Sequence, residues 1–204
     1  MRYLPLAGVL LLLAVVFVWR PWLQRRRHGT SGILLFRSRE RAQLVRDGLA
    51  LVLFALLLAQ ALVAAFAPES LPLAQADRRA TAPLRLAAGT VLLFGGLILL
   101  VAAQLQLGAS WRIGIDDAAR SGLVTDGLYR LSRNPIFLAL LVLLAGYMLL
   151  VPTFLSAAML AGAYIGTRLQ IAAEEGYLLR TYGEEYRAYA RRVGRLLPGV
   201  GKMA

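Results

Sequence analysis

Cysteine is absent from the 204 residues, Lys202 is the only lysine, and His28 is the only histidine. Without cysteine the chain can form neither disulfide bonds nor thiolate metal sites, and it carries no cysteine nucleophile. A lone histidine also excludes a cluster of histidine metal ligands within the chain. Acidic residues are few as well, with 11 aspartates and glutamates against 23 basic residues. The sequence therefore predicts no metal site.

Apolar residues, by contrast, make up 59% of the chain, and the mean hydropathy is +0.63. This composition is too apolar for a soluble domain of this size and indicates an integral membrane protein. The net charge of +12 comes mainly from arginines that cluster between the apolar runs. Such clusters match anionic lipid headgroups and membrane topology better than they match nucleic acid. We therefore expect the lipid bilayer as a partner, and no nucleic acid.

Five apolar segments are candidates for membrane-spanning helices. They are residues 4–19, 48–67, 84–107, 135–151 and 153–168. The last two are short and meet at Pro152, which predicts a helical hairpin that turns near the outer face. The loop 20–47 contains eight arginines and two acids, so the positive-inside rule predicts that it is cytoplasmic and that the N-terminus is outside. The same rule places the C-terminus in the cytoplasm.

The tail over residues 171–197 has an apolar stripe with helical spacing. Its members are Leu178, Tyr182, Tyr186, Tyr189, Val193 and Leu197. Arginines and Glu184 occupy the other face, which predicts an amphipathic helix on the membrane surface, with a kink at Gly183. The predicted fold is an all-α integral membrane protein with about five transmembrane helices and a C-terminal amphipathic interfacial helix. We divide it into a three-helix membrane region, 1–107, and a second region, 108–204.

Several residues within or beside these spans have structural interpretations. Gln60 is expected to form an interhelical hydrogen bond. Trp111 is a plausible interfacial anchor. Small residues are expected to permit close helix packing at Gly89, Gly95 and Gly96. Three acids of the following loop are interpreted as caps and turn residues: Asp116, Asp117 and Asp126.

Residues 127–137 place two arginines and an Asn-Pro step directly before an apolar run. Asn134 is a good N-cap, and Pro135 is tolerated at the first helical position because its missing N–H would have no partner there. The helix start would lie beside Arg133 and Arg130, with its free N–H groups and positive dipole end. The segment therefore predicts an anion-binding corner at the membrane edge. An ordinary basic flank of a transmembrane helix is the alternative interpretation.

Glu174 and Glu175 follow the fifth apolar segment. A carboxylate pair near lipid is costly unless it is hydrated, paired or used in chemistry. Arg168 precedes Glu175 by seven residues on the same helix face, so a structural ion pair is one alternative. The predicted hairpin would bring Arg133 near the two glutamates and Tyr177. A pocket with an anion site, two carboxylates and aromatic rings is compatible with a zwitterionic cofactor that has a second positive centre, such as S-adenosylmethionine.

Residues 127–137, Gly-Leu-Tyr-Arg-Leu-Ser-Arg-Asn-Pro-Ile-Phe, resemble the G-x-Y-x-x-x-R-[HN]-P-x-[YF] motif of the isoprenylcysteine carboxyl methyltransferase family. The resemblance covers roughly residues 108–199. The tail is also similar to that family, with a pattern formed by Glu174, Glu175, Leu178, Tyr182, Gly183, Tyr186, Tyr189, Val193, Arg195 and Pro198. The family in turn resembles the phospholipid methyltransferases, whose cofactor site also has an arginine-proline motif and a Glu-Glu pair.

The resemblance implies a multispanning enzyme that binds S-adenosylmethionine on the cytoplasmic side and takes an amphiphilic acceptor from the bilayer. Arg133 and Glu175 are the catalytic residues that it implies. The cofactor-binding residues that it implies are Tyr129, Arg133, Asn134, Pro135, Phe137, Glu174, Glu175, Leu178, Tyr186 and Arg195. The sequence departs from the family at Asn134, where histidine is usual, and at Ala139, where glycine is frequent.

Methyl transfer from a sulfonium needs mainly alignment and desolvation, because the methyl group is already activated. A carboxylate acceptor, which we favour, would need only a cation such as Arg133 to orient it. A lipid amine or hydroxyl would need a base, for which Glu175 or Glu174 is the candidate. Two alternatives remain open. One is an NADPH-dependent membrane reductase of the sterol-reductase kind, whose C-terminal region is distantly similar, and the other is a non-catalytic membrane protein.

Overall fold

The computed structural model describes residues 2–36, 40–71, 82–113 and 122–203. The described residues form five helices joined by loops and short 3₁₀ turns, which confirms the all-α class. In chain order they are α1 (Leu4–His28), α2 (Arg41–Phe66), α3 (Ala82–Leu107), α4 (Pro135–Leu150) and α5 (Phe154–Arg192). The predicted turn residues Asp116 and Asp117 lie outside the described residues.

Within the described part of the chain, three helices, α1, α2 and α3, are long and apolar enough to cross a membrane. The α2 and α3 helices have 26 residues each. Each is about 39 Å long, which exceeds the ~30 Å of the hydrocarbon core. The α4 helix has only 16 residues. It could cross only with the help of packing, tilt or local thinning of the bilayer. The integral membrane fold is thus confirmed, and the number of five crossings stays a prediction.

The buried Arg20 fixes the end of α3. The Arg20 guanidinium donates hydrogen bonds to the backbone oxygens of Gln104, at 3.1 Å, and Gly108, at 2.9 Å. A cation is favourable there because the helix dipole is negative at its C-terminal end. The same guanidinium lies 4.6 Å from the centroid of the Trp111 ring. Trp111 is only 2% exposed, so its predicted role as an interfacial anchor is wrong. It packs inside the protein, where its ring lies against the buried Arg20 guanidinium.

Glycines allow α3 and α4 to pack closely. A Cβ atom at Gly96 would lie 2.7 Å from the backbone nitrogen of Leu143, and one at Gly146 would collide with the backbone of α3. The predicted packing role is therefore confirmed for Gly96, and also for Gly89, where a Cβ would lie 3.0 Å from a side chain of α4. It is wrong for Gly95, where a Cβ would meet no atom within 4 Å.

The α5 helix has 39 residues, whereas the sequence predicted two separate helices over 153–168 and 171–197. The chain does not break between them because residues 169–175 are good helix formers without proline. The break occurs at Gly183, whose φ of 53° and ψ of −120° confirm the predicted kink. About 43 Å of helix thus runs from Phe154 to the kink. Glu174 and Glu175 lie on this straight part of α5, beyond the apolar segment and before the kink.

Gln60 forms the interhelical hydrogen bonds that its place within α2 predicted. Its amide donates to the Thr153 hydroxyl at 2.7 Å and accepts from the Ser156 hydroxyl at 3.0 Å. Thr153 is also the N-cap of α5 and accepts a hydrogen bond from the backbone N–H of Ser156. The network ties the start of α5 to α2.

Candidate active site

The Arg133 side chain connects the segment before α4 with α5 and with the C-terminal residues. It makes five hydrogen bonds, two of them to the Glu175 Oε1 atom. The other three go to the backbone oxygens of Ala190, Val193 and Gly201. A guanidinium has five N–H donors, so all of them are used in this arrangement. Arg133 therefore has no N–H left for a ligand while this network is intact.

Glu175 is held between two arginines. Its Oε1 atom lies 2.7 Å from Arg133 Nη2, and its Oε2 atom lies 2.6 Å from Arg195 Nη2. The residue is only 4% exposed, so its charge depends on these partners. The alternative ion pair between Arg168 and Glu175 does not form. Arg168 is exposed and donates instead to the Tyr164 hydroxyl at 3.4 Å.

The residues after α5 fold back over the start of α4. The backbone N–H of Arg133 donates to the Gly194 oxygen at 2.9 Å, and the Asn134 side-chain amide donates to the Arg195 oxygen at 2.9 Å. Asn134 occupies the N-cap position of α4, as predicted, but its side chain makes no capping hydrogen bond. The interpretation of Asn134 as a side-chain cap is therefore wrong. Because its amide is turned toward the C-terminal residues, the first N–H groups of α4 are not capped by it.

A cavity of about 210 Å³ opens at this junction. Nine of the ten predicted cofactor-binding residues line it: Tyr129, Arg133, Asn134, Pro135, Phe137, Glu174, Glu175, Leu178 and Tyr186. Arg195 does not line the cavity and acts on it through Glu175. Arg130, which was expected beside the helix start, is exposed and is not among the lining residues. The two distant segments singled out in the sequence thus meet around one cavity.

Tyrosines form one wall of the cavity. The ring centroids of Tyr186 and Tyr189 are 6.1 Å apart in an edge-on arrangement, and the Tyr189 hydroxyl donates to the Tyr129 backbone oxygen at 2.7 Å. Burial raises the pKa of all three phenols, so they are neutral at physiological pH. Tyr186, Tyr189 and Val193 also belong to a buried apolar cluster with Leu178. Much of the apolar stripe that was predicted to face the membrane therefore packs inside the protein.

Glu174 differs from its neighbour because it has no salt bridge among the described residues. Its Oε1 atom accepts a hydrogen bond from the Gln170 amide at 3.0 Å. Burial raises the pKa of the Glu174 carboxyl, while the hydrogen bond from Gln170 and the charges of Arg46 and Arg112 act in the opposite direction. A cavity-lining carboxyl with a raised pKa is the residue best placed to take part in chemistry.

Several residues at or near the site were not predicted from the sequence. The Gln170 amide reaches Glu174, and the spacing of four residues on one helix could have indicated this contact. Arg46 of α2 reaches Gln170, and no pattern in the sequence links the two. The cavity-lining residues outside the predicted cofactor-binding set are Leu107, Ser110, Arg112, Gly122, Leu123, Val124, Ile136 and Tyr189, with Tyr177 expected only as a neighbour.

The fold and the cavity define the class: an all-helical integral membrane protein with a partly polar pocket that is lined by α4, α5 and the segments before α4. The family described as phospholipid methyltransferase matches residues 84–185, which is half of the chain, and the chain belongs to that family. This confirms the resemblance drawn from the motifs. The match begins within α3 and so crosses the predicted boundary between the regions 1–107 and 108–204. That division of the chain into two regions stays a prediction.

Among solved structures, the chain is similar to the eukaryotic intramembrane Ras methyltransferase ICMT (isoprenylcysteine carboxyl methyltransferase). The TM-score is 0.54 and the sequence identity is 18%, over 97% of this chain and 75% of that one. At this identity the likeness shows a shared fold. A search of curated proteins gives no significant match. Family membership and fold together support a membrane methyltransferase.

Proposed function

We propose that this protein is an S-adenosylmethionine-dependent methyltransferase that modifies an amphiphilic acceptor taken from the bilayer. The observation that carries the proposal is that residues from 127–137 and the Glu174-Glu175 pair line the same cavity of about 210 Å³. The chain's membership in a methyltransferase family gives that cavity its reaction class. Following the positive-inside rule, we place the cavity on the cytoplasmic side of the membrane.

The lining residues fit the chemical groups of S-adenosylmethionine. The start of α4 offers backbone N–H groups for a carboxylate, because Asn134 does not cap them. Glu174 offers a carboxylate for an ammonium or for ribose hydroxyls. The rings of Tyr129, Tyr186 and Tyr189 offer π faces for a sulfonium cation. When bound, the cofactor would supply an activated methyl group, so the protein needs to align and desolvate the acceptor.

We assign Arg133 and Glu175 a positioning role. Both were expected to be catalytic, but the five N–H groups of Arg133 and both oxygens of Glu175 are engaged within the protein. Their ion pair holds together the start of α4, α5 and the C-terminal residues 193–201 beside the cavity. In this proposal Glu174 is the carboxylate that contacts the cofactor or the acceptor.

The acceptor is proposed to be amphiphilic because the cavity is mostly apolar. Besides the polar groups, it is lined by the apolar residues Leu107, Leu123, Val124, Pro135, Ile136, Phe137 and Leu178. An acyl or prenyl chain could lie against these side chains. We favour O-methylation of a carboxylate, which requires no base. An amine or hydroxyl acceptor would require one, and Glu174 is then the candidate.

Incubation of the purified full-length protein with methyl-labelled S-adenosylmethionine and a native lipid extract tests the proposal. We expect label in an apolar product, whose identification would show whether a carboxylate, an amine or a hydroxyl is methylated. Glu174→Gln should reduce incorporation by at least about tenfold, since it removes a charge at the cavity. The matched control is Glu185→Gln on the same helix, because Glu185 is exposed. No labelled product with the wild type, under conditions where the protein is folded, would contradict the proposal.

A further inference from the structure

A chain of side-chain hydrogen bonds runs from α2 to Glu174. The Arg46 side chain donates to the Gln43 oxygen at 2.7 Å and to the Gln170 oxygen at 3.1 Å. The Gln170 amide nitrogen then donates to Glu174 Oε1 at 3.0 Å. Arg46 and Gln170 are 124 residues apart in the chain, so this contact joins the N-terminal region to the cavity.

The donors and acceptors available on each side chain determine which way the Gln170 amide is oriented in this series of hydrogen bonds. An arginine only donates hydrogen bonds, so the Gln170 oxygen must face Arg46. The Gln170 amide nitrogen then faces Glu174 and stabilises its ionised form. The side chain of Arg46 is 17% exposed, and it is held in place on α2 by Gln43. Gln43 is buried and donates in turn to Asp47 at 2.7 Å.

We propose that Arg46 and Gln170 are positioning residues of the cofactor site, which hold the Glu174 carboxylate in place against the cavity. This inference deepens the proposed function and depends on it for the identity of the ligand. Its consequence is that α2 contributes to the site, although it lies outside the residues matched by the family. Residues 84–185 should therefore not suffice to form a normal site.

Other charged and titratable groups also face Glu174. They are Arg112 after α3, Glu175 on α5 and Tyr129 before α4. Arg46 and Gln170 act together with Arg112 to favour the carboxylate, while burial and the charge of Glu175 oppose it. Removing either Arg46 or Gln170 should therefore shift the titration of Glu174 toward higher pH, whereas a merely structural role would leave it unchanged.

The test is an infrared titration of the full-length protein in lipid nanodiscs, without cofactor. The signal is the protonated-carboxyl band that Glu174→Gln removes. We expect Gln170→Leu to move its midpoint upward by about one pH unit, because it removes a hydrogen bond to a charged group. Arg46→Gln should move it in the same direction. The matched controls are Arg168→Gln and Arg41→Gln, which change exposed residues on the same two helices.

Calorimetry with S-adenosylmethionine on the same samples separates this inference from the proposed function. Below the wild-type midpoint, Gln170→Leu should weaken binding by about tenfold, the equivalent of one pH unit. A shifted midpoint with no binding by the wild type would support the positioning role and contradict the proposed cofactor. Midpoints that stay unchanged in both variants would overturn the positioning role, whatever the cofactor does.

Discussion

The Arg133 guanidinium and the Glu175 carboxylate lie 2.7 Å apart, although 42 residues separate them in the chain. Their side chains are 1% and 5% exposed, so Glu175 compensates the buried charge of Arg133, while Arg133 and Arg195 together compensate that of Glu175. The guanidinium also donates hydrogen bonds to three backbone oxygens, those of Ala190, Val193 and Gly201. This ion pair therefore determines where the start of α4 lies relative to α5.

Neutralising one member of this pair should destabilise the protein. Glu175→Gln leaves Arg133 buried without a counter-charge, which typically costs about 3 kcal/mol or more. Glu174→Gln should change stability much less, because Glu174 has no salt bridge among the described residues. The free energy of unfolding of the two variants in detergent can be compared with that of Glu185→Gln. Equal stability of the two variants would contradict the positioning role of Glu175.

Two adjacent glycines of α3 should respond differently to the same change. Gly96→Ala places a methyl group 2.7 Å from the backbone nitrogen of Leu143, and the backbone cannot move aside easily. We expect a loss of about 1–3 kcal/mol, as for other overpacked positions. Gly95→Ala meets no atom within 4 Å and should be tolerated. Thermal unfolding of both variants checks this, and equal midpoints would argue against the close packing of α3 and α4.

The kink at Gly183 should be sensitive to a side chain although there is space for one. No atom lies within 4 Å of a Cβ built at this position, but the φ of 53° is strained for other residues. Gly183→Ala should cost about 1–3 kcal/mol and displace the tyrosine wall that follows it. Gly166→Ala, in the regular part of α5, is the control and should be neutral or stabilising. Thermal unfolding measures the loss of stability, and tyrosine fluorescence detects the displacement. If Gly183→Ala matched the wild type in both measurements, the expected backbone strain at Gly183 would be contradicted.

Binding of a cationic ligand should depend on the titration of Glu174. Burial raises the pKa of its carboxyl in the folded protein. Glu174 therefore contributes to the free energy of unfolding only while it is protonated. This contribution is fully present below the ordinary carboxyl pKa and is lost as the pH rises through the raised pKa. The affinity for a cation has the opposite sign, since the ionised carboxyl binds it better. We thus expect affinity for S-adenosylmethionine to fall as the pH falls through the raised pKa.

Proton release measures the same effect directly. Near that pH, binding should release a proton from Glu174, and the heat of binding should differ between buffers of different ionisation enthalpy. The effect should be absent in Glu174→Gln. Equal proton release by the wild type and the variant would show that another group titrates.

The sequence was sufficient to predict the meeting of Arg133 and Glu175 because each lies in a local pattern with a physical meaning. An Asn-Pro step starts a helix, a proline between two apolar runs makes a hairpin, and the hairpin brings the start of one helix near the end of the other. The ranges of α3 and α4 followed from hydropathy for the same reason. The predictions for α1 and α2 were too short, because residues 20–28 and 41–47, which were assigned to the loop 20–47, are helical.

Other features had no local signal. The backbone oxygens of Ala190, Val193 and Gly201 bind Arg133, but a backbone oxygen is present at every residue and cannot be recognised from sequence. The contact between Arg46 and Gln170 spans 124 residues and depends on the packing of α2 against α5. The continuity of α5 was missed because the charged residues after Arg168 suggested the end of a membrane segment. Charges, however, do not end a helix that contains good helix formers.

Calorimetric titration of S-adenosylmethionine into the full-length protein in lipid nanodiscs tests the central claim most directly. We expect saturable binding by the wild type, binding weakened by about tenfold or more in Glu174→Gln, and wild-type affinity in Glu185→Gln. Binding of NADPH without binding of S-adenosylmethionine, or equal affinity in the wild type and Glu174→Gln, would contradict the account.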